Sequence, residues 1–219
     1  MIRELAWKRT FRWAILAAVA FFVYFMGAVL IIRPDTRTAA LEATPLALSI
    51  STVVLFAFAR FRFGIRSVTV CAVIVLAGYL VEVAGVNTGV LFGNYAYGDA
   101  LGIKVWHTPL LIGVNWLFVT FACAGAAALF RTGNSVRAVT ASVLMVAYDL
   151  VLEQAAPGMD MWRWGGEAVP FRNYASWFLL ALGFQFWVHR SGLPLRNAAA
   201  VPLLLFQVGL FVAVILFVG

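Results

Sequence analysis

Three carboxylates sit inside long apolar runs of this chain: Glu82, Asp149 and Glu153. Asp149 and Glu153 are four residues apart in "VAYDLVLEQAAPGMDMWRWGGEAVPFRNYASW" (Val146–Trp177), so on a helix they share one face. An Asp at the centre of a membrane helix costs roughly 2.5–3.5 kcal/mol on insertion scales. Two acids on one stripe therefore need a water-filled cavity, a partner or a task. Carboxylates held close together out of water cannot all ionise, and the one that keeps its proton is a usable donor. A plainer reading pairs each acid with a polar neighbour or lets it reach the interface.

Other residue types could serve the same chemistry. The loop "EVAGVNTGVLFGNYAYGDALG" (Glu82–Gly102) is dense in glycine, which permits tight turns and close backbone approach. Its Tyr95 and Tyr97 suit an interface, with an apolar body and a wet tip. The segment reads as a re-entrant or lid element over a cavity, or as an ordinary interfacial loop. It lacks the GK[ST] of a phosphate loop. Asn115, beside Trp116, could orient a water or a carboxylate, or bond a neighbouring helix. Trp162, Trp164 and Trp177 form either an interfacial belt or the walls of a site for a long polyene, where their faces could stabilise a cation. His107 and His189 are expected at opposite membrane faces, so no metal site is expected. A proton donor, apolar walls and aromatic rings match protonation of an isoprenoid double bond to a tertiary carbocation, captured by water or by an internal alkene.

The elements that must position these residues follow from composition. The chain has 219 residues, 64% hydrophobic and only 11% charged, with mean hydropathy +0.96. That defines an all-α, polytopic transmembrane helical bundle, read as a single domain over 1–219. The net charge of +7 does not indicate nucleic acid, because the basic residues sit in short clusters between apolar runs, as topology signals do. Cys71 and Cys123 lie within apolar runs and read as packing residues. The first apolar run is too long for a cleaved signal and reads as an uncleaved first span. Seven spans are expected, at about 13–32, 45–59, 68–86, 109–130, 136–156, 173–189 and 198–218, with Pro157-Gly158 ending the fifth.

Charge asymmetry sets the expected orientation. Eleven Lys/Arg fall on the side of the N-terminus and five on the other, which puts the N-terminus in the cytoplasm. Spans 3 and 5 then both run outward. Glu82 and Glu153 come to lie ~5–6 Å below the outer end of their spans and Asp149 ~10 Å, at 1.5 Å per residue. The three acids are thus expected to converge in the outer half of the membrane, beneath the two unusual loops.

The motifs "GVNTGVLFGNYAYG" (Gly85–Gly98), "YDLVLEQAAPGMDMWRW" (Tyr148–Trp164) and "VPFRNYASW" (Val169–Trp177) resemble the CruF-type carotenoid biosynthesis family of integral membrane carotenoid 1,2-hydratases, bisanhydrobacterioruberin hydratases included. The resemblance covers roughly half the chain, from span 3 through span 6; Gln154 stands where many members have Pro. It implies a cofactor-independent hydro-lyase that adds water across the terminal C1–C2 double bond of a lycopene- or γ-carotene-like ψ-end, in contact with membrane lipid and expected in a bacterial inner (cytoplasmic) membrane. On that reading Asp149, or else Glu82, protonates C2. Glu153 or Glu82 takes a proton from the attacking water, which Asn115 holds. Tyr95, Tyr97, Trp162 and Trp164, with Asn173 and Trp177, shape the substrate pocket. A carotenoid cyclase would use the same protonation. A small proton-coupled transporter is a third possibility, disfavoured because the acids lie at one level and no inverted repeat is visible.

Overall fold

The computed structural model describes residues 2–218, with side chains from residue 10 onward. The side chains of Arg3, Glu4, Lys8 and Arg9, which carry part of the orientation argument, lie outside the described residues. In chain order the elements are α1 (Ile2–Val19), a π-helical segment (Ala20–Phe25), α2 (Met26–Ile32), α3 (Arg37–Glu42), α4 (Thr44–Ala57), α5 (Ile65–Thr88), β1 (Tyr95–Tyr97), β2 (Lys104–Val105), β3 (Thr108–Pro109), α6 (Leu111–Ala127), α7 (Asn134–Ala155), β4 (Trp162–Trp164), α8 (Phe171–Arg190) and α9 (Ala200–Phe217). Each expected span is a helix.

Four stretches are long and apolar enough to cross a membrane: Thr10–Ile32, α5, α7 and α9. Helices α4 and α6 are apolar but shorter, with 14 and 17 residues. At 1.5 Å per residue they reach ~21 and ~26 Å, against a hydrocarbon core of ~30 Å. The reason α6 can be short is its place. From Ile112 to Ala127 nearly every side chain is buried, as expected of a helix that is apolar all round. It packs against α4, α5, α7, α8 and α9, and α7 packs most closely on α8. Small residues allow this: Gly113 lies against the Val75 carbonyl and Gly125 against Ala200.

The helix ends follow local chemistry. Gly89 terminates α5 in the left-handed region, at φ 65°, its N–H bonding the Gly85 carbonyl. α7 stops at Ala155, just before Pro157-Gly158, and Pro170 opens α8.

The purely helical expectation needs one amendment. Two short antiparallel pairings join the loops: β1 with β4, in the register Tyr95↔Trp164, Ala96↔Arg163 and Tyr97↔Trp162, and β2 with β3. The second is a hairpin turned by Trp106 and His107, both at positive φ. The loops are further tied by Gly98 N–H to the Met161 carbonyl, Asp99 N–H to Asp160 Oδ2 and Gly165 N–H to the Asn94 carbonyl. The two segments read as separate loops thus form one cap over the ends of α5 and α7.

Candidate active site

The cap works through the two-residue period of a strand. Side chains at alternate positions point to the same face, so Tyr95 and Tyr97 face one way with Trp162 and Trp164, while Ala96 and Arg163 are exposed. That inner face carries two phenols and two indoles, and it lies over the carboxylates. Tyr95 Oη and Tyr97 Oη donate to Glu82 Oε2 at 2.6 and 2.7 Å. Trp162 Nε1 and Trp164 Nε1 donate to Glu153 Oε2 at 2.9 and 2.7 Å. Burial first, and the Glu82 charge second, push both phenols well above their ordinary value, so they remain donors.

Glu82 receives a third donor from below, Trp116 Nε1 to Oε1 at 3.1 Å. The sequence of α5 makes room for it. Gly78 is one turn before Glu82, and a Cβ there would meet the Trp116 side chain at 2.7 Å. Gly85 is one turn after, and a Cβ there would collide with the Phe92 ring. Two glycines on the face of Glu82 thus let aromatic groups close in from both sides. Trp116 is also stacked on Trp177, with ring centroids 4.1 Å apart.

On α7 the pair sits as the four-residue spacing requires. Asn173, from the first turn of α8, donates its amide to both acids, to Glu153 Oε1 at 3.1 Å and Asp149 Oδ2 at 3.2 Å. Glu82 and Glu153 therefore each accept three hydrogen bonds. Asp149 is fully buried, shares one donor, and its Oδ1 has no partner. Among the described residues, Arg33 pairs with Asp35 and Lys104 with Asp99, and neither ion pair reaches this cluster.

Two cavities flank this cluster, and Asp149 itself lines neither. A chamber of about 20 Å³ is bounded by Glu82, Glu153, Tyr95, Tyr97, Asn173 and Trp177, among others. That is room for one water, which needs ~10–15 Å³ by the same measure. A second cavity of about 250 Å³ lies between the Thr10–Ile32 helix and α4, α6, α7 and α9, and its walls are mostly apolar. Ile112 and Trp162 line both. Phe22 and Leu46, which line the larger cavity, are also exposed on the surface of their helices.

Of the residues expected at the site, Glu82, Asp149, Glu153, Tyr95, Tyr97, Trp162, Trp164 and Asn173 are brought together. Trp177 lines the chamber from its stack on Trp116. Asn115 faces elsewhere and lines the larger cavity. Gln154 is exposed. The sequence reading missed Trp116 as a donor; the GxxxExxG run of Gly78, Glu82 and Gly85 is the signal that could have found it. Among the described residues no group of three or more His, Cys, Asp and Glu could hold a metal ion.

A helical protein with membrane-length helices and a buried, aromatic-donated carboxylate cluster beside an apolar cavity defines the class to which the comparisons give a family. Residues 42–219 match the model of the carotenoid biosynthesis protein family, most of the chain, and the chain belongs to that family. It is 30% identical over 138 residues to the bisanhydrobacterioruberin hydratase of Haloarcula japonica. That alignment takes in 55% of this chain and 45% of the relative, so it spans less than half of that curated protein. No solved structure matches.

Proposed function

We propose that the protein is a carotenoid hydratase, adding water across the terminal C1–C2 double bond of an acyclic ψ-end to give a tertiary alcohol. The observation that carries this is the unequal supply of donors to three converging acids. Glu82 and Glu153 accept three hydrogen bonds each, which suits ionised carboxylates, whereas Asp149 has a free oxygen on which to hold a proton. Two anionic groups held by neutral donors, with no Lys or Arg in the cluster, are complementary to a cation that forms during the reaction. The relative's name, a hydratase, and the family's place in carotenoid biosynthesis support the same substrate class.

The steps balance without a cofactor. The terminal isoprenoid unit enters from the larger cavity and meets the chamber across Ile112 and Trp162. Asp149 turns its free oxygen into the chamber and gives its proton to C2, and the positive charge develops at C1, where two methyl groups and the chain stabilise it. The water in the chamber attacks C1, and Glu153 or Glu82 takes its surplus proton. Asn173, which bridges Asp149 and Glu153, keeps the pair in register while the proton returns to Asp149. The chamber residues, rather than Asn115, hold the water. The size of the chamber favours capture by water over capture by an internal alkene, which would make a cyclase.

The test is expression in cells that accumulate lycopene or γ-carotene, with wild type beside Asp149→Asn. A pigment heavier by one water in wild type alone supports the hydratase and the role of Asp149. A mass-neutral product with a changed absorption spectrum would make it a cyclase. Unchanged pigment on both substrates from well-expressed protein would overturn ψ-end chemistry in favour of a role such as proton-coupled transport.

A further inference from the structure

The larger cavity is apolar except at its inner wall. There Tyr24 Oη donates to Ser51 Oγ at 2.8 Å, and that hydroxyl donates on to the Ala47 carbonyl at 2.7 Å. Both groups are satisfied. Two others are not. Tyr148 and Gln207 line the same cavity and are more than nine-tenths buried, and neither Tyr148 Oη nor Gln207 Oε1 has a hydrogen-bond partner. A buried polar atom without a partner is costly, and such atoms in native proteins call for an explanation. One is a donor and the other an acceptor. An alcohol oxygen can accept from the phenol while its proton is given to the amide oxygen. Apart from Thr44 and Asn115 the rest of the wall offers apolar contact, and a volume of about 250 Å³ is below the ~300–1,000 Å³ of pockets for whole drug-sized ligands. It suits the end of a long chain whose remainder lies outside.

We infer that this cavity is a binding subsite for the hydroxylated end of an isoprenoid chain, with Tyr148 and Gln207 holding its tertiary alcohol. This rests on the hydratase reading for the ligand class, but not on the roles of the three acids. It makes the cavity a place where a hydrated end is distinguished from an unhydrated one. The hydroxyl is that of the protein's own product, since a rigid polyene that presents one end to the chamber through this cavity cannot lay its other end in the same cavity.

The probes are lycopene and its singly hydrated derivative, 1-hydroxy-1,2-dihydrolycopene, added to the purified protein in nanodiscs. Binding is read on mixing from the quenching of tryptophan fluorescence, since Trp162 lines the cavity. Wild type is expected to bind the alcohol roughly tenfold more tightly, the scale of one net hydrogen bond. Tyr148→Phe and Gln207→Leu should each reduce that preference severalfold and together nearly abolish it. Unchanged lycopene binding in the variants shows that the cavity is intact. Equal affinities in wild type, a preference that survives in the double variant, or no binding of either probe would overturn the subsite. The hydratase reading is judged separately by pigment mass. Preference for the alcohol without a water adduct in cells keeps the subsite and sinks that reading; an adduct without preference does the reverse. Because the bound hydroxyl is that of the leaving product, Gln207→Leu is expected to relieve product inhibition of hydration, and inhibition that persists unchanged would count against the subsite.

Discussion

At the scale of single residues, the site is a matter of who donates to whom. Trp116 contributes two things that can be separated: its ring stacks on Trp177, and its Nε1 donates to Glu82 Oε1. Trp116→Phe keeps an aromatic ring on Trp177 and removes the N–H. A hydrogen bond to a charged group is worth about 1.5–3 kcal/mol to the folded state, so melting in detergent should fall by several degrees, and product formed per folded protein in lycopene-accumulating cells by roughly ten- to a hundredfold. Equal activity in the variant would show that Glu82 needs only the phenols. Tyr95→Phe with Tyr97→Phe tests the other side. Glu82 then keeps one donor of three. We expect product formation in lycopene-accumulating cells to be lost in the double variant and partly kept in each single one. Full activity in the double variant would show that Glu82 does not depend on the phenols.

At the scale of elements, the cap is the part that must be assembled for the site to exist. Gly98 follows β1, and a Cβ there would collide with the Asp160 backbone carbonyl, which cannot swing aside as a side chain can. Gly98→Ala should therefore separate the two loops, costing upwards of about 2 kcal/mol by overpacking and removing donors from Glu82 and Glu153 together. The control is Gly183→Ala in α8, where a Cβ meets nothing within 4 Å. Melting temperature and product formation should drop together for the first, whereas for the second product formation should stay unchanged and melting stay level or rise slightly. The same elements explain what could be read from the sequence. The helices were legible because apolar runs bounded by Pro, Gly and Arg leave few alternatives, and the level of Glu82, Asp149 and Glu153 followed from counting residues to the span ends. The ribbon was not legible. Three-residue strands carry almost no periodic signal, the partners lie in different loops, and YxY and WxW each resemble an interfacial belt on their own. Asn115 and Trp116 show a different limit. Neighbours on a helix point about 100° apart, and α6, apolar all round, offers no polar face by which to orient it. What decides that Trp116 meets Glu82 is the notch at Gly78, on another helix.

At the scale of the whole molecule, the open matter is which side of the membrane carries the cap, because that decides where the water comes from. The chamber lies under the α5–α6 and α7–α8 connections, against the ends of α5 and α7. The clusters Arg60, Arg62 and Arg66, Arg131 and Arg137, and Arg190 and Arg196 all fall at the opposite ends of the helices. Lys and Arg near span ends are retained on the cytoplasmic side. We therefore expect the cap on the outer face, with seven crossings and the N-terminus inside. Reporter fusions at two points decide it. Green fluorescent protein joined after Gly133, between α6 and α7, should fluoresce, and alkaline phosphatase joined after Gly166, in the cap, should be active. The reverse pattern would turn the molecule over. It would put the carboxylates within reach of cytoplasmic water and make the basic clusters an exception to charge asymmetry. Activity of both reporters at one point would mean that the chain inserts in both orientations.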